Sequence, residues 1–197
     1  MTRICIVRHG ETDWNKTGQI QGKTDIELNQ TGIQQARECR DYLSQYDWDV
    51  MVTSPLSRAA RTAEIMNERL DIPLIKMEEF VERDFGMAEG LSKEERMSRY
   101  PDKIYPDQET RESVVHRVSH GLERILTDYP QQRVLLVAHG AVINVILSLF
   151  SNHELGTGKT RLVNAGLSEL EHIDGKWQIN YANESSHLSQ FSEKGKM

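Results

Sequence analysis

A chain of 197 residues suits a single globular domain with a sizeable buried core. Its 38% hydrophobic and 27% charged residues exclude a disordered or membrane-embedded class, and a formal charge of -6 argues against a general nucleic-acid binder, which would be basic. No apolar run approaches the roughly 20 residues of a membrane span, no basic-then-apolar leader opens the chain, and Cys5 and Cys39 stand in no metal-like spacing. A reducing, cytoplasmic setting is therefore expected.

In chain order, Ile4, Cys5, Ile6 and Val7 predict a strand buried on both faces, ending abruptly in "RHGETDWN". After a polar loop to about residue 28, "NQTGIQQARECRDYL" predicts a helix with Ile33, Ala36 and Leu43 near one face. The strand "DVMVTS" follows, then Ser54 and Pro55 as N-cap and first residue of a helix whose Leu56, Ala59, Ala63, Met66 and Leu70 recur at helical spacing. Arg58 falls in that helix's first turn. "PLIKMEEF" is a weaker strand candidate, and Ser92 with Glu95 forms a capping box. A helix over 112–129 carries Val115, Val118, Leu122 and Ile125 as its stripe, and "RVLLVAHG" leads as a strand into the apolar helix "AVINVILSLF". Asp174 and Gly175 join "LSELEHI" to "KWQINYA" as a hairpin, so one late pairing is antiparallel. Residues 183–197 are expected to be a flexible tail on one domain spanning 1–197. Alternating strands and helices of this kind predict a mainly parallel sheet wrapped by helices.

Two buried strands end in His-Gly, at His9 and at His139. Parallel strands open on the same rim, where α/β sheets bind ligands, so neighbouring strands would bring both imidazoles to one site. The glycine after each histidine is expected to let the backbone turn and leave room for a ligand. Arg8 and Arg58 add permanent cations, and the amides of the Arg58 helix add positive potential, which suits a phosphate. A neutral imidazole can attack phosphorus, and nearby cations keep it neutral. Arginine forks and a second histidine can hold the equatorial oxygens of the transferring group. The leaving alkoxide needs a proton from a carboxylic acid, for which Glu11, Glu82 and Glu89 are all candidates on this evidence.

The blocks "IVRHGETDWN", "TSPLSRAARTAE", "ERDFGMAEG" and "VLLVAHGAVI", in that order, resemble the histidine phosphatase (phosphoglycerate mutase-like) superfamily, and the likeness runs from residue 4 to "NESSHL". The resemblance implies a three-layer αβα sandwich around a mixed, mostly parallel sheet. It implies that His9 is the nucleophile, that Arg8, Arg58, His139 and Asn15 bind the phosphoryl group, and that Glu82 is the proton donor. Gln21 and Gly22 match a loop facing substrate. No metal, nucleotide or other cofactor is implied. The partner would be a small-molecule phosphomonoester, on a monomer or homodimer with no nucleic acid or membrane involved.

Mutases and phosphatases share this chemistry. Phosphoglycerate mutases of the family are longer, with a basic, proline-rich insertion where this chain has the short, mixed-charge "LSKEERMSRYPDKIYPDQETRES". Its "ESVVHRV" resembles the phosphatase branch, although Arg111 replaces the usual glycine before it. A phosphatase is thus expected, with a cofactor-dependent phosphoglycerate mutase, or a phosphoprotein phosphatase or phospho-binding module, as alternatives. Arg61 is assigned to a surface ion pair, and Glu82 has Arg83 as a rival partner. "HELGTGKT" lacks the first glycine of a P-loop and follows a helix rather than a strand. His116 and His120 are four apart on a helix but lack a third ligand. Trp14, Trp48 and Trp177 are too scattered to stack bases.

Overall fold

The computed structural model describes residues 1–190. The first apolar run forms β1 (Thr2–Arg8), in which Ile4, Cys5, Ile6 and Val7 are fully buried, as a central strand covered on both faces must be. Its neighbours explain that burial. The six strands lie in the order β3-β2-β4-β1-β5-β6, with β2 (Val50–Thr53), β3 (Leu74–Lys76) and β4 (Arg133–Ala138) parallel to β1 as one block. β5 (Leu167–Ile173) and β6 (Lys176–Glu184) complete the other edge as an antiparallel hairpin through Asp174 and Gly175, both at positive φ. The architecture is the expected αβα sandwich on a mixed, mostly parallel sheet.

Side chains alternate between two cores, as the strand period requires. Ile4, Ile6, Val52 and Leu136 pack against α5 (Arg111–Asp128) and α6 (Gly140–Phe150). Cys5, Val7, Met51 and Val137 pack against α2 (Gln30–Leu43) and α3 (Ser57–Leu70). Two short helices, α1 (Asp13–Thr17) and α4 (Lys93–Arg99), lie in the connections, and α4 begins with the expected Ser92–Glu95 capping box. α5 buries Val114 beside Val118, Leu122 and Ile125, leaving Val115 only half-buried. In α2 the buried stripe starts at Gly32 rather than Ile33, because the helix lies so close to the β1–α1 loop that a Cβ at Gly32 would stand 2.1 Å from the Glu11 carbonyl oxygen.

Three local expectations are corrected. Ser54 does not cap α3, which starts at Ser57 behind Leu56 with no side-chain cap. "PLIKMEEF" contributes only Leu74–Lys76 as strand, then a single 3-10 turn at Glu78–Phe80. The segment from 183 to 190 packs back on the domain: β6 runs to Glu184, Leu188 is buried, and the His187 ring stacks on Tyr42 at 5.3 Å while its Nε2 donates to the Ala165 carbonyl. The rest of the expected tail, 191–197, lies outside the described residues.

Candidate active site

Register brings the histidines together. Arg8 pairs with Ala138 across the parallel β1–β4 ladder, so the next residue on each strand leaves the sheet at the same level. The His9 and His139 rings stand 5.1 Å apart, inclined by 55°. Both are buried, at 2% and 0% exposure. Since a carbonyl can only accept, His9 Nδ1 donates to the Gly10 oxygen at 2.7 Å and carries the ring proton, which leaves Nε2 with its lone pair. His139 Nε2 meets the Ser54 hydroxyl at 2.8 Å, and that oxygen accepts the Leu56 amide at 3.3 Å. Among the described residues the Ser54 proton has no other acceptor, so assigning it to Nε2 satisfies both groups and puts the ring proton of His139 on Nδ1.

Two guanidiniums flank the pair, each oriented by backbone carbonyls. Arg8 Nη1 donates to the Leu162 oxygen, and Arg58 donates through Nη1 to Thr24 at 2.9 Å and through Nη2 to Gly22 at 2.6 Å. Burial pulls Arg8 down to about 10, helped by Arg58 and opposed by Glu82, so it stays charged at neutral pH. Burial, then Arg58, pushes both imidazoles well below the ordinary histidine value. The result is a neutral His9 ring with its Nε2 lone pair unspent, in a cationic setting. Among the described residues, His139 Nδ1 and Arg58 Nε are buried without an acceptor, so the cradle holds donors that the protein leaves unspent.

These groups border a cavity of about 180 Å³ lined by Arg8, His9, Asn15, Gln21, Gly22, Arg58 and Glu82, among others. All the site residues expected from the sequence line it or, like His139, lie buried against its wall. The structure also separates the three carboxylates that the sequence left open. Glu11 accepts from Asn29 Nδ2, and Glu89 accepts from the amides of Lys23, Thr24 and Phe85, bracing the loop that orients Arg58. Only Glu82 of the three lines the cavity. Its oxygens accept the amides of Ala141 at 3.0 Å and Val142 at 3.3 Å, at the start of α6, and the Arg83 guanidinium turns away to the Glu109 carbonyl and Gln108.

Asn15 caps α1 in reverse, its Oδ1 accepting from the Thr12 amide and from Asn164 Nδ2, and the residue lines the cavity. Gln21 Oε1 accepts from the Thr12 hydroxyl at 2.9 Å. Gly22 sits at φ 57, where a Cβ would collide with Glu89 Oε1. The two glycines after the histidines do not turn the chain as expected. Neither has positive φ; Gly10 is required by a close approach, since its Cβ would lie 2.4 Å from the Gly32 oxygen, and Gly140 is the first residue of α6, where it lines the cavity.

Sequence reasoning missed Ser54 and Asn164. Ser54 follows β2, a neighbour of β4, and that adjacency on one rim is the signal that could have found it. Asn164, which bonds the His9 carbonyl at 3.0 Å and Asn15, sits in a loop with no sequence signature. Of the decoys, Arg61 pairs with Glu64 at 3.3 Å, and His120 faces Glu79 at 3.4 Å. No group of three or more metal-ligating side chains occurs among the described residues. "HELGTGKT" forms turns after α6, yet its Thr157 lines the cavity.

The family model described as the histidine phosphatase superfamily (branch 1) matches residues 4–185, from β1 through β6. The chain belongs to the histidine phosphatase superfamily. Among its relatives, the Bacillus subtilis (strain 168) protein named "Uncharacterized phosphatase PhoE" is 52% identical over 191 residues, covering 97% of this chain and 99% of that one. A "Metal-independent phosphoserine phosphatase" of Arabidopsis thaliana is 30% identical, covering 99% and 87%. The phosphoserine phosphatase of Entamoeba histolytica, solved in complex with 3-phosphoglyceric acid, superposes with a TM-score of 0.82 at 30% identity, over 95% of this chain and all of that one (100%). Membership of the histidine phosphatase superfamily and these relatives support a phosphatase. Among the described residues no helix is long and apolar enough to cross a membrane.

Proposed function

We propose that the chain hydrolyses phosphomonoesters of small molecules without a metal, through a phosphohistidine at His9. The observation that carries this is the His9 ring itself: buried, held neutral, its Nδ1 spent on the Gly10 carbonyl and its Nε2 left with its lone pair, in a cavity that Arg8 and Arg58 also line. In the first step Nε2 attacks phosphorus as the P–O bond to the alcohol breaks, and the developing charge spreads over equatorial oxygens. Arg8, Arg58, Asn15 and the Nδ1–H of His139 supply donors there, fixed in advance by Leu162, Gly22, Thr24 and Ser54. Glu82 gives a proton to the leaving oxygen. In the second step it takes one back from the water that attacks the phosphohistidine, releasing inorganic phosphate and regenerating Nε2.

Mixing the enzyme with a phosphorus-labelled phosphomonoester and quenching in base should trap label that is stable to alkali, released by acid, and absent from His9→Ala. Phosphate release should persist in chelator. Trapping of label in His9→Ala, or turnover within about tenfold of the parent, would remove the covalent route. A mutase would instead interconvert phosphoglycerates only with a bisphosphorylated primer, and a binding module would release no phosphate from p-nitrophenyl phosphate.

A further inference from the structure

The Gly22–Lys23 peptide stands between two side chains of opposite charge. Its carbonyl accepts Arg58 Nη2 at 2.6 Å, and its N–H donates to Glu89 Oε1 at 2.9 Å. The guanidinium thus meets the negative end of the peptide dipole and the carboxylate meets its positive end, so each bond polarises the other. Thr24 repeats the pattern one residue on: its amide and hydroxyl donate to Glu89 Oε2, and its carbonyl accepts Arg58 Nη1 at 2.9 Å. Gly22 makes this approach possible. At φ 57, a Cβ there would stand 1.8 Å from Glu89 Oε1, so only glycine leaves space for the carboxylate. Glu89 also accepts the Phe85 amide at 3.0 Å, and the neighbouring Gly90 amide donates to the Ile20 carbonyl at 2.8 Å. One carboxylate therefore clasps the two segments that bring Ile20, Gln21, Gly22 and Phe85 to the cavity wall. Because its contact with Arg58 runs through backbone, it orients the guanidinium without neutralising it in a direct ion pair.

We propose that Glu89 is a positioning residue for phosphoryl transfer, setting the Arg58 guanidinium through the Gly22–Thr24 backbone. The inference rests on the hydrolase reading above. Glu82 and Glu89 then have separate roles: Glu82 serves the leaving oxygen, and Glu89 serves the phosphoryl group that stays on the enzyme. Each role has its own signature. Without Glu89 the two carbonyls move with their loop, so Arg58 loses its fixed orientation whatever alcohol departs. A carboxylate that only held the two segments together for stability would lower Tm without acting through Arg58.

A double-variant cycle tests this through vanadate binding, measured by calorimetry without turnover. Glu89→Ala should weaken binding by about tenfold in the parent background but by no more than about threefold in Arg58→Ala, because the carboxylate acts through that arginine. Its kcat should fall by about tenfold or more, and by the same factor for p-nitrophenyl phosphate and for an alkyl phosphate, unlike that of Glu82→Gln. Glu89→Gln keeps one acceptor oxygen for the loop amides and should recover part of both losses; the same cycle run with it decides the question if the alanine variant does not fold. Unmoved vanadate binding, losses that multiply in the double variant, or slowing that depends on the leaving group overturns the role of Glu89 and leaves the hydrolase reading standing. Absence of phosphate release from every ester, p-nitrophenyl phosphate included, overturns the hydrolase reading first and this inference with it, even where the vanadate cycle shows the coupling.

Discussion

At the scale of single residues, the site is defined by which hydrogen bonds are already spent. Ser54 occupies one nitrogen of His139, so Ser54→Ala should free the ring to adopt either tautomer and lower kcat by about tenfold, with KM little changed. An unaltered kcat would make that contact merely structural. Arg58 spends two nitrogens on carbonyls and keeps Nε, so Arg58→Ala should weaken inhibition by vanadate or inorganic phosphate by at least about tenfold. Equal inhibition would put that guanidinium outside the phosphoryl pocket. Glu82→Gln tests proton donation by leaving group: turnover of alkyl phosphates should fall by about 100-fold or more, whereas p-nitrophenol, which leaves readily as its anion, should be slowed far less. The same slowing for both would assign the proton to another donor.

At the scale of elements, the two His-Gly turns look alike in sequence and differ in cause. At the end of β1, Gly10 and Gly32 let the loop and α2 meet backbone to backbone, so Gly10→Ala has nowhere to put its methyl group and should cost about 1–3 kcal/mol. At roughly 2–4 °C per kcal/mol for a chain of this size, Tm should fall by several degrees. Gly140→Ala places its methyl 3.7 Å from Arg8 Nε, an ordinary contact, inside a helix that favours alanine, so Tm should hold or rise. Calorimetry on the two variants distinguishes close approach from turn geometry, and equal Tm losses would refute the distinction. The same scale explains why residues 183–190 pack back: the apolar Leu188 and the His187–Tyr42 stack close over α2 beside Ala165, whose amide bonds the Arg8 carbonyl.

At the scale of the whole molecule, burying two imidazoles beside two guanidiniums makes folding stability depend on pH. His9 and His139 sit well below the ordinary value of 6.5 in the folded chain and return to it on unfolding. Below about pH 6.5 the unfolded chain therefore binds more protons, so stability falls as pH drops through that value and is flat above it with respect to these groups. Each group contributes at most about 1.4 kcal/mol per pH unit. The carboxylates held low by arginine or amide donors, such as Glu79 and Glu109, act in the same direction but only below their ordinary 4.5, which separates the two windows. Urea unfolding at pH 7.5 and 5.5 should show the loss, and His9→Asn should show less of it; identical stability at both pH values would contradict the buried neutral pair.

The amino-acid sequence by itself determined the layers, the two strand-end histidines, the flanking cations and the family, because strand burial, helical spacing and motif order are local properties of the chain. Residue chemistry alone left three carboxylates open, with only the resemblance pointing to Glu82; it took Ser54 for a helix cap and gave both His-Gly glycines a turn with room for a ligand. Tertiary structure decided where these residues stand, because each placement depends on contacts between segments far apart in sequence: β1 beside β4, Ser54 against His139, Glu82 at the start of α6, Gly10 against Gly32.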